Sequence, residues 1–206
     1  MEIINLPLVE YGVAKSILPG QGESGDRHLI CCGGDGILIA AMDGIGHGEE
    51  AASAAEAAVS ILKTSPDEPV ISLVERCHEG LRSTRGVVLS LASIDPKHGM
   101  MTWIGVGNVQ GVLMRAGARK GSVQEVLLLR GGVVGGSQLP ALQAAVLPIA
   151  KGDTLVFVTD GIRSEFVEGL SALESPQRAA DKILKQHGRG NDDALVLVVR
   201  LTGICA

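Results

Sequence analysis

The sequence predicts an α+β fold, because apolar stretches of strand length crowd both halves of the chain while helical stretches interrupt them only in the middle and near the end. A doubly wound sheet would instead alternate strand and helix regularly. Two packed sheets with helices outside accommodate the number of strands, and the pattern alone leaves their topology open.

Taken in order, residues 8–18, 27–32 and 36–42 read as strands, the last (GILIAAM) as a continuous apolar run of the kind that is buried on both faces. Glycines around Asp35 turn the second strand back into the third. An Ala-rich helix is expected from Glu49 to about Lys63, with Glu49 and Glu50 suiting the positive end of its dipole. Ser65-Pro-Asp-Glu-Pro69 breaks it, and residues 70–82 give a second helix. Strands resume at 86–94, 100–106, 109–115 and 123–129, and residues 131–138 (GGVVGGSQ) read as a mobile loop. Strands at 145–149 and 154–159, a helix at 175–186 and a last strand at 194–201 complete the chain.

Composition narrows the function. With 206 residues, 46% of them hydrophobic and 20% charged, the chain can bury a full core, and one domain over residues 1–206 is expected. Tyr11, Trp103, Phe157 and Phe166 are its only aromatic residues besides histidine, too few to stack single-stranded bases, and the formal net charge of −5 opposes a nucleic-acid backbone. Cys31, Cys32, Cys77 and Cys205 show no C-x-x-C spacing, and Cys31 and Cys32 read as small core residues. The first residues lack a basic and apolar leader, and no apolar run is long enough to cross a bilayer, so a reducing cytoplasm is the expected compartment.

The chemistry lies in acidic residues at strand ends. Asp43 and Asp160 each follow an apolar strand and precede Gly-Ile; Asp26 stands before a strand, and Asp192-Asp193 before the last one. A carboxylate at a strand end followed by glycine projects from a rigid scaffold while the turn exposes backbone carbonyls. Such oxygen-only donors suit Mg²⁺ or Mn²⁺, whereas Zn²⁺ would call for His or Cys. One Asp-Gly alone is an ordinary turn; acidic groups at four strand edges weaken that reading and by themselves only suggest a metal site. A phosphate-cradling dinucleotide turn fails on spacing, since Gly44, Gly46 and Gly48 alternate and no strand precedes Asp67.

In chain order, Ser24-Gly-Asp26, Ala41-Met-Asp-Gly-Ile-Gly-His-Gly48, Gly105-Val-Gly-Asn108, Lys151-Gly-Asp153 leading to Leu155-Val-Phe-Val-Thr-Asp-Gly161, and Asn191-Asp-Asp-Ala194 resemble the PPM superfamily of metal-dependent Ser/Thr protein phosphatases. The short chain and the segment Trp103-Ile-Gly-Val-Gly-Asn-Val109 look like the RsbX-type stressosome phosphatases of its bacterial SpoIIE/RsbU group. The resemblance implies a four-layer αββα sandwich of two antiparallel sheets, with two Mn²⁺ or Mg²⁺ ions between them. On the matching positions Asp43 would bridge both ions and activate water, Gly44 would offer its carbonyl, Asp26 would serve one ion and Asp160 with Asp192 the other, Asp193 being able to exchange with Asp192. It further implies a monomer acting on a phosphorylated stressosome scaffold protein, without nucleic acid or membrane. An anti-sigma antagonist as substrate, and a phosphoprotein-binding module without turnover, are the alternatives.

The sequence also departs from the superfamily. Many members carry a phosphate-gripping Arg shortly before the first acidic motif, but Pro19-Gly-Gln-Gly-Glu-Ser24 has none, leaving phosphate to the metals or to another residue. His47 lies out of register with the Asp-Gly-His-Gly of eukaryotic relatives, and is carried as a candidate general acid because imidazole suits protonation of a leaving alkoxide. His28, His78, His98 and His187 lack a motif and read as surface or satisfied structural residues.

Overall fold

The computed structural model describes residues 8–34, 36–116, 125–170 and 174–203. Its strands are β1 (Val9–Ser16), β2 (Asp26–Cys32), β3 (Ile37–Gly44), β4 (Val87–Asp95), β5 (Met100–Val106), β6 (Gln110–Met114), β7 (Glu125–Val126), β8 (Ala145–Pro148), β9 (Thr154–Val158) and β10 (Ala194–Leu201). The helices are α1 (Glu49–Thr64), α2 (Val70–Gly80) and α3 (Pro176–His187), with a 3₁₀ turn at Ser164–Gly169. One sheet runs β1-β10-β9-β6-β7 and the other β2-β3-β4-β5-β8, every pairing antiparallel.

Three apolar layers explain why the sequence stacks this way. Ile39, Trp103, Phe157 and Leu197 fill the space between the sheets, where the Trp103 and Phe157 rings sit 5.3 Å apart. Leu38 and Met42, on the opposite face of β3, pack under α1 and α2, whose contacts include Ala54, Ala58, Leu62 and Leu73. Val196 and Val198 of β10 pack under α3 and the 3₁₀ turn through Ala180, Ile183 and Phe166. Because β3 and β10 are covered on both faces, they read as unbroken apolar runs. The order helix, sheet, sheet, helix is the αββα sandwich that the resemblance implied. No helix among the described residues is long and apolar enough to cross a membrane.

Several elements differ from the sequence reading. The strand expected at 123–129 is reduced to Glu125–Val126, and part of that stretch lies outside the described residues, as do Asp35 and Cys205. The loop expected to be mobile at 131–138 is docked: Val134 is buried and exchanges backbone hydrogen bonds with Val87 at 2.8 and 2.9 Å, and the Gly135 N–H donates to His78 Nδ1 at 3.1 Å. Glycine content signals permissive backbone, but it cannot report the partner that fixes it. Cys32 is exposed at the end of β2, not in the core, while Cys31 packs beside α1 and α2. His28 is half-buried with an Nδ1 that has no partner among the described residues, and burial, helped by Lys15, lowers its pKa to about 4.

Strand β1 is an edge, and α3 covers it. The Gln177 side chain accepts from the Val13 N–H at 3.1 Å and donates to the Val13 carbonyl at 2.9 Å, occupying groups that would otherwise invite another strand. The approach depends on Gly12, where a Cβ would stand 2.3 Å from the Gln177 backbone. Gly12→Ala should therefore lift α3 and lower stability by about 1–3 kcal/mol, the usual scale of overpacking. Urea unfolding monitored by circular dichroism measures this, and an unchanged midpoint contradicts the packing described.

Candidate metal centre

The acidic residues meet because strand ends meet. Asp26 opens β2 and Asp43 lies near the end of β3, and antiparallel register makes them direct cross-strand partners. Alternation along the strands puts both on the face that looks toward the other sheet, in line with Ile30 and Ile39 of the core between the sheets. In the other sheet Asp160 follows β9 and Asp192 precedes β10, two antiparallel neighbours. A buried contact joins the sheets here: Thr159 Oγ1 donates to Asp26 Oδ2 at 2.8 Å and accepts from the Leu195 N–H at 2.8 Å.

Glycines allow the close approach. A Cβ on Gly44 would stand 2.1 Å from the Ala51 carbonyl oxygen of α1, and one on Gly161 would stand 1.9 Å from the Asp193 carbonyl oxygen. A Cβ on Gly25 would meet the Gly44 carbonyl oxygen at 3.3 Å and Asp43 Oδ1 at 3.6 Å, so that carbonyl and that carboxylate share one small space. Asp26 is 1% exposed, and its Oδ1 has no hydrogen-bond partner among the described residues. An orphaned carboxylate oxygen at that depth is costly unless a proton or a cation meets it.

Electrostatics give the same account. Burial pushes the Asp43 carboxyl up to about 8, reinforced by Asp26, Asp160, Asp192 and Asp193. Burial likewise raises Asp26 to about 7 against the Thr159 hydrogen bond, with Asp193 and Asp160 adding to the rise. Asp160 is raised by burial and by Asp192, while Asn108 opposes the shift by donating from Nδ2 to Asp160 Oδ2 at 2.8 Å. Among the described residues no three His, Cys, Asp or Glu side chains close on one point as a finished ligand shell. The carboxylates are instead near enough to oppose one another's ionisation, the field that a hard divalent cation neutralises.

The two adjacent aspartates divide their work. Asp193 accepts from the Leu18 N–H at 2.8 Å and the Gly25 N–H at 2.7 Å, tying the segment before β2 to β10 and so positioning Asp26. Asp192 accepts the Asp193 N–H at 2.9 Å through Oδ1 and is only half-buried. Asp153, at the far end of β9, is a structural acid holding Ala116, Ala150 and Arg115. His47 is exposed on the turn between β3 and α1. The roles of Thr159 and Asn108 went unread in the sequence; both lie inside quoted motifs, but nothing in their spacing marks them as supports for Asp26 and Asp160.

The chain is similar to known proteins in sequence and fold. Residues 33–202 match the family model described as Stage II sporulation protein E (SpoIIE). The chain belongs to the SpoIIE family. That match begins after Asp26, whose place in the site therefore rests on the structure. The chain is 27% identical over 160 residues to phosphoserine phosphatase RsbX of Bacillus subtilis strain 168, covering 75% of this chain and 78% of RsbX. A solved chain described under "The bacterial stressosome: a modular system that has been adapted to control secondary messenger signaling" is 27% identical with a TM-score of 0.83, over 93% of this chain and 99% of that one. RsbX crystallised in complex with magnesium superposes with a TM-score of 0.83 at 21% identity, over 96% of this chain and 97% of that one, a likeness of fold. The SpoIIE-family chain thus carries a phosphatase fold of the PP2C type, and it is a phosphatase.

The raised carboxyls predict how stability depends on pH when divalent ions are chelated. Their folded pKa values of about 7 and about 8 lie above the ordinary 3.8, so over this interval the folded chain holds protons that the unfolded chain has released. The associated stability is fully present below the unfolded value and is lost as pH rises through the folded values. Urea midpoints in EDTA should accordingly fall between about pH 5 and about pH 8. A midpoint that rises across that range contradicts the assignment.

Proposed function

We propose that this SpoIIE-family phosphatase removes phosphate from serine or threonine of a phosphorylated stressosome scaffold protein, using two Mg²⁺ or Mn²⁺ ions, as a monomer in the cytoplasm. The observation that carries the metal reading is the buried Asp26 Oδ1, orphaned beside Asp43 and the Gly44 carbonyl. Asp26, Asp43, Asp160, Asp192 and the Gly44 carbonyl form the donor set, all hard oxygens. Asp43 would be the donor shared by both ions, since Asp26 of its own sheet and Asp160 and Asp192 of the other all act on its carboxyl. Asp192 is the ligand in preference to Asp193, whose two carboxylate oxygens are engaged by backbone N–H groups.

Divalent ions bound there would supply Lewis acidity, a nucleophile from water at neutral pH and neutralisation of the phosphoryl charge. The chain's own contribution is positioning. Thr159 holds Asp26, Asn108 holds Asp160, and the strand ends fix their mutual spacing without loop adjustment. His47, exposed on the turn that follows Asp43 and Gly44, is the proposed proton donor to the leaving serine oxygen.

The likeness to RsbX and to the stressosome chain supports this substrate class. Removing one phosphate deletes roughly two negative charges and several strong acceptors, enough to undo a charge-assisted contact in a partner. A phosphorylated anti-sigma antagonist is the second substrate to test, because the family model that matches is that of SpoIIE.

Hydrolysis of a phosphoserine peptide should require Mn²⁺ or Mg²⁺ and stop in EDTA; turnover that survives exhaustive chelation contradicts the metal mechanism. Asp43→Asn keeps the shape and removes the charge, so the rate should fall at least about 100-fold with folding retained. Near-wild-type activity in the folded variant would refute the role of Asp43. Purified phosphorylated scaffold, phosphorylated antagonist and unrelated phosphoproteins at equal concentration should give the fastest release from the scaffold. Equal rates on all of them would remove the stressosome reading and leave the phosphatase.

A further inference from the structure

The acidic centre must admit an anion, and the segment before Asp26 offers no arginine for it. Arg85 approaches the turn after Asp43 from another direction. The pairing of β3 with β4 ends at Gly44 opposite Val87, and the Ile45 N–H continues it by donating to the Gly86 carbonyl at 3.0 Å. The next step of the ladder sets Arg85 opposite Gly46, on the turn that follows Asp43. The Arg85 side chain folds over that turn: a Cβ on Gly46, whose φ is 96°, would stand 2.7 Å from Arg85 Nη1. Gly46 lies three positions after Asp43, a span of at most about 11 Å.

The guanidinium is held there without being consumed. Its Nη2 pairs with Glu50 in the first turn of α1, and the two side chains are 52% and 69% exposed. An ion pair that open to water contributes little, so a phosphate dianion can take over the guanidinium at small cost. The planar fork also matches phosphate oxygens in a way that a lysine ammonium does not. Arg189 is the rival cation: its backbone N–H donates to the Gly161 carbonyl at 2.8 Å and its charge acts on Asp160.

We propose that Arg85 is the residue that binds the substrate's phosphate at this centre, with Glu50 holding its guanidinium over the Gly46 turn until phosphate arrives. The proposal rests on the phosphatase reading and deepens it.

The test compares wild type, Arg85→Ala, Arg85→Lys and Arg189→Ala, each loaded with Mn²⁺. It measures inorganic phosphate binding by calorimetry, and KM and kcat for a small aryl phosphate and for a phosphoserine peptide. Arg85→Ala should weaken phosphate binding and raise KM for both esters by about tenfold, the scale of one lost charge-assisted hydrogen bond, with kcat changed less. Arg85→Lys should recover part of the loss, and the melting temperature should stay at the wild-type value. Unchanged phosphate affinity in folded Arg85→Ala overturns the proposal, as does a wild type that binds no phosphate. A loss confined to Arg189→Ala, or one seen with the peptide but not with phosphate and the aryl ester, overturns it as well. Wild-type protein that binds phosphate through Arg85 but hydrolyses neither ester would refute the phosphatase reading separately.

Discussion

Like charges buried together are the constraint on which this structure turns. Asp26, Asp43, Asp160 and Asp192 stand where two sheets meet; burial raises the carboxyls of Asp26, Asp43 and Asp160, and Asp26, Asp160 and Asp192 further oppose the ionisation of Asp43. A chain would not place carboxylates this way for stability. The arrangement makes sense as a compromise completed by a cation, and much of the surrounding architecture can be understood as holding the donors against their own repulsion.

The holding is done at several levels. Three apolar layers fix the sheets, so that the strand ends have little freedom to splay. Asp193 spans the gap from β10 to the segment before β2, and Thr159 reaches from one sheet to the acid of the other. Gly44 and Gly161 let backbone lie against backbone where any side chain would force the turns apart. The proposed ligand acids are therefore carried on rigid elements, while His47 and Arg85 are exposed beside them.

Much of this was legible in the sequence because the signals are local. Apolar runs such as Ile37–Gly44 and Ala194–Leu201 announce strands covered on both faces, and an acid at the end of such a run announces a site. What could not be read depends on long-range contact. The 131–138 segment looks free until Val87 and His78 are seen to hold it. Nothing in Asp192-Asp193 says which carboxylate is tied to backbone 168 and 175 residues away in sequence. Arg85 escaped notice for the same reason: its place over Gly46 follows from strand register, and Ser-Thr-Arg-Gly carries no motif.

Carboxyls raised by burial, as Asp26 and Asp43 are, should give up protons when a divalent ion takes their place. Titrating the chelated protein with Mn²⁺ near pH 7, in buffers of differing ionisation enthalpy, measures the protons released on binding. Saturable binding accompanied by release of about one proton or more is expected, with the release much reduced in Asp43→Asn. Binding with no proton release, or no binding at all, would contradict it.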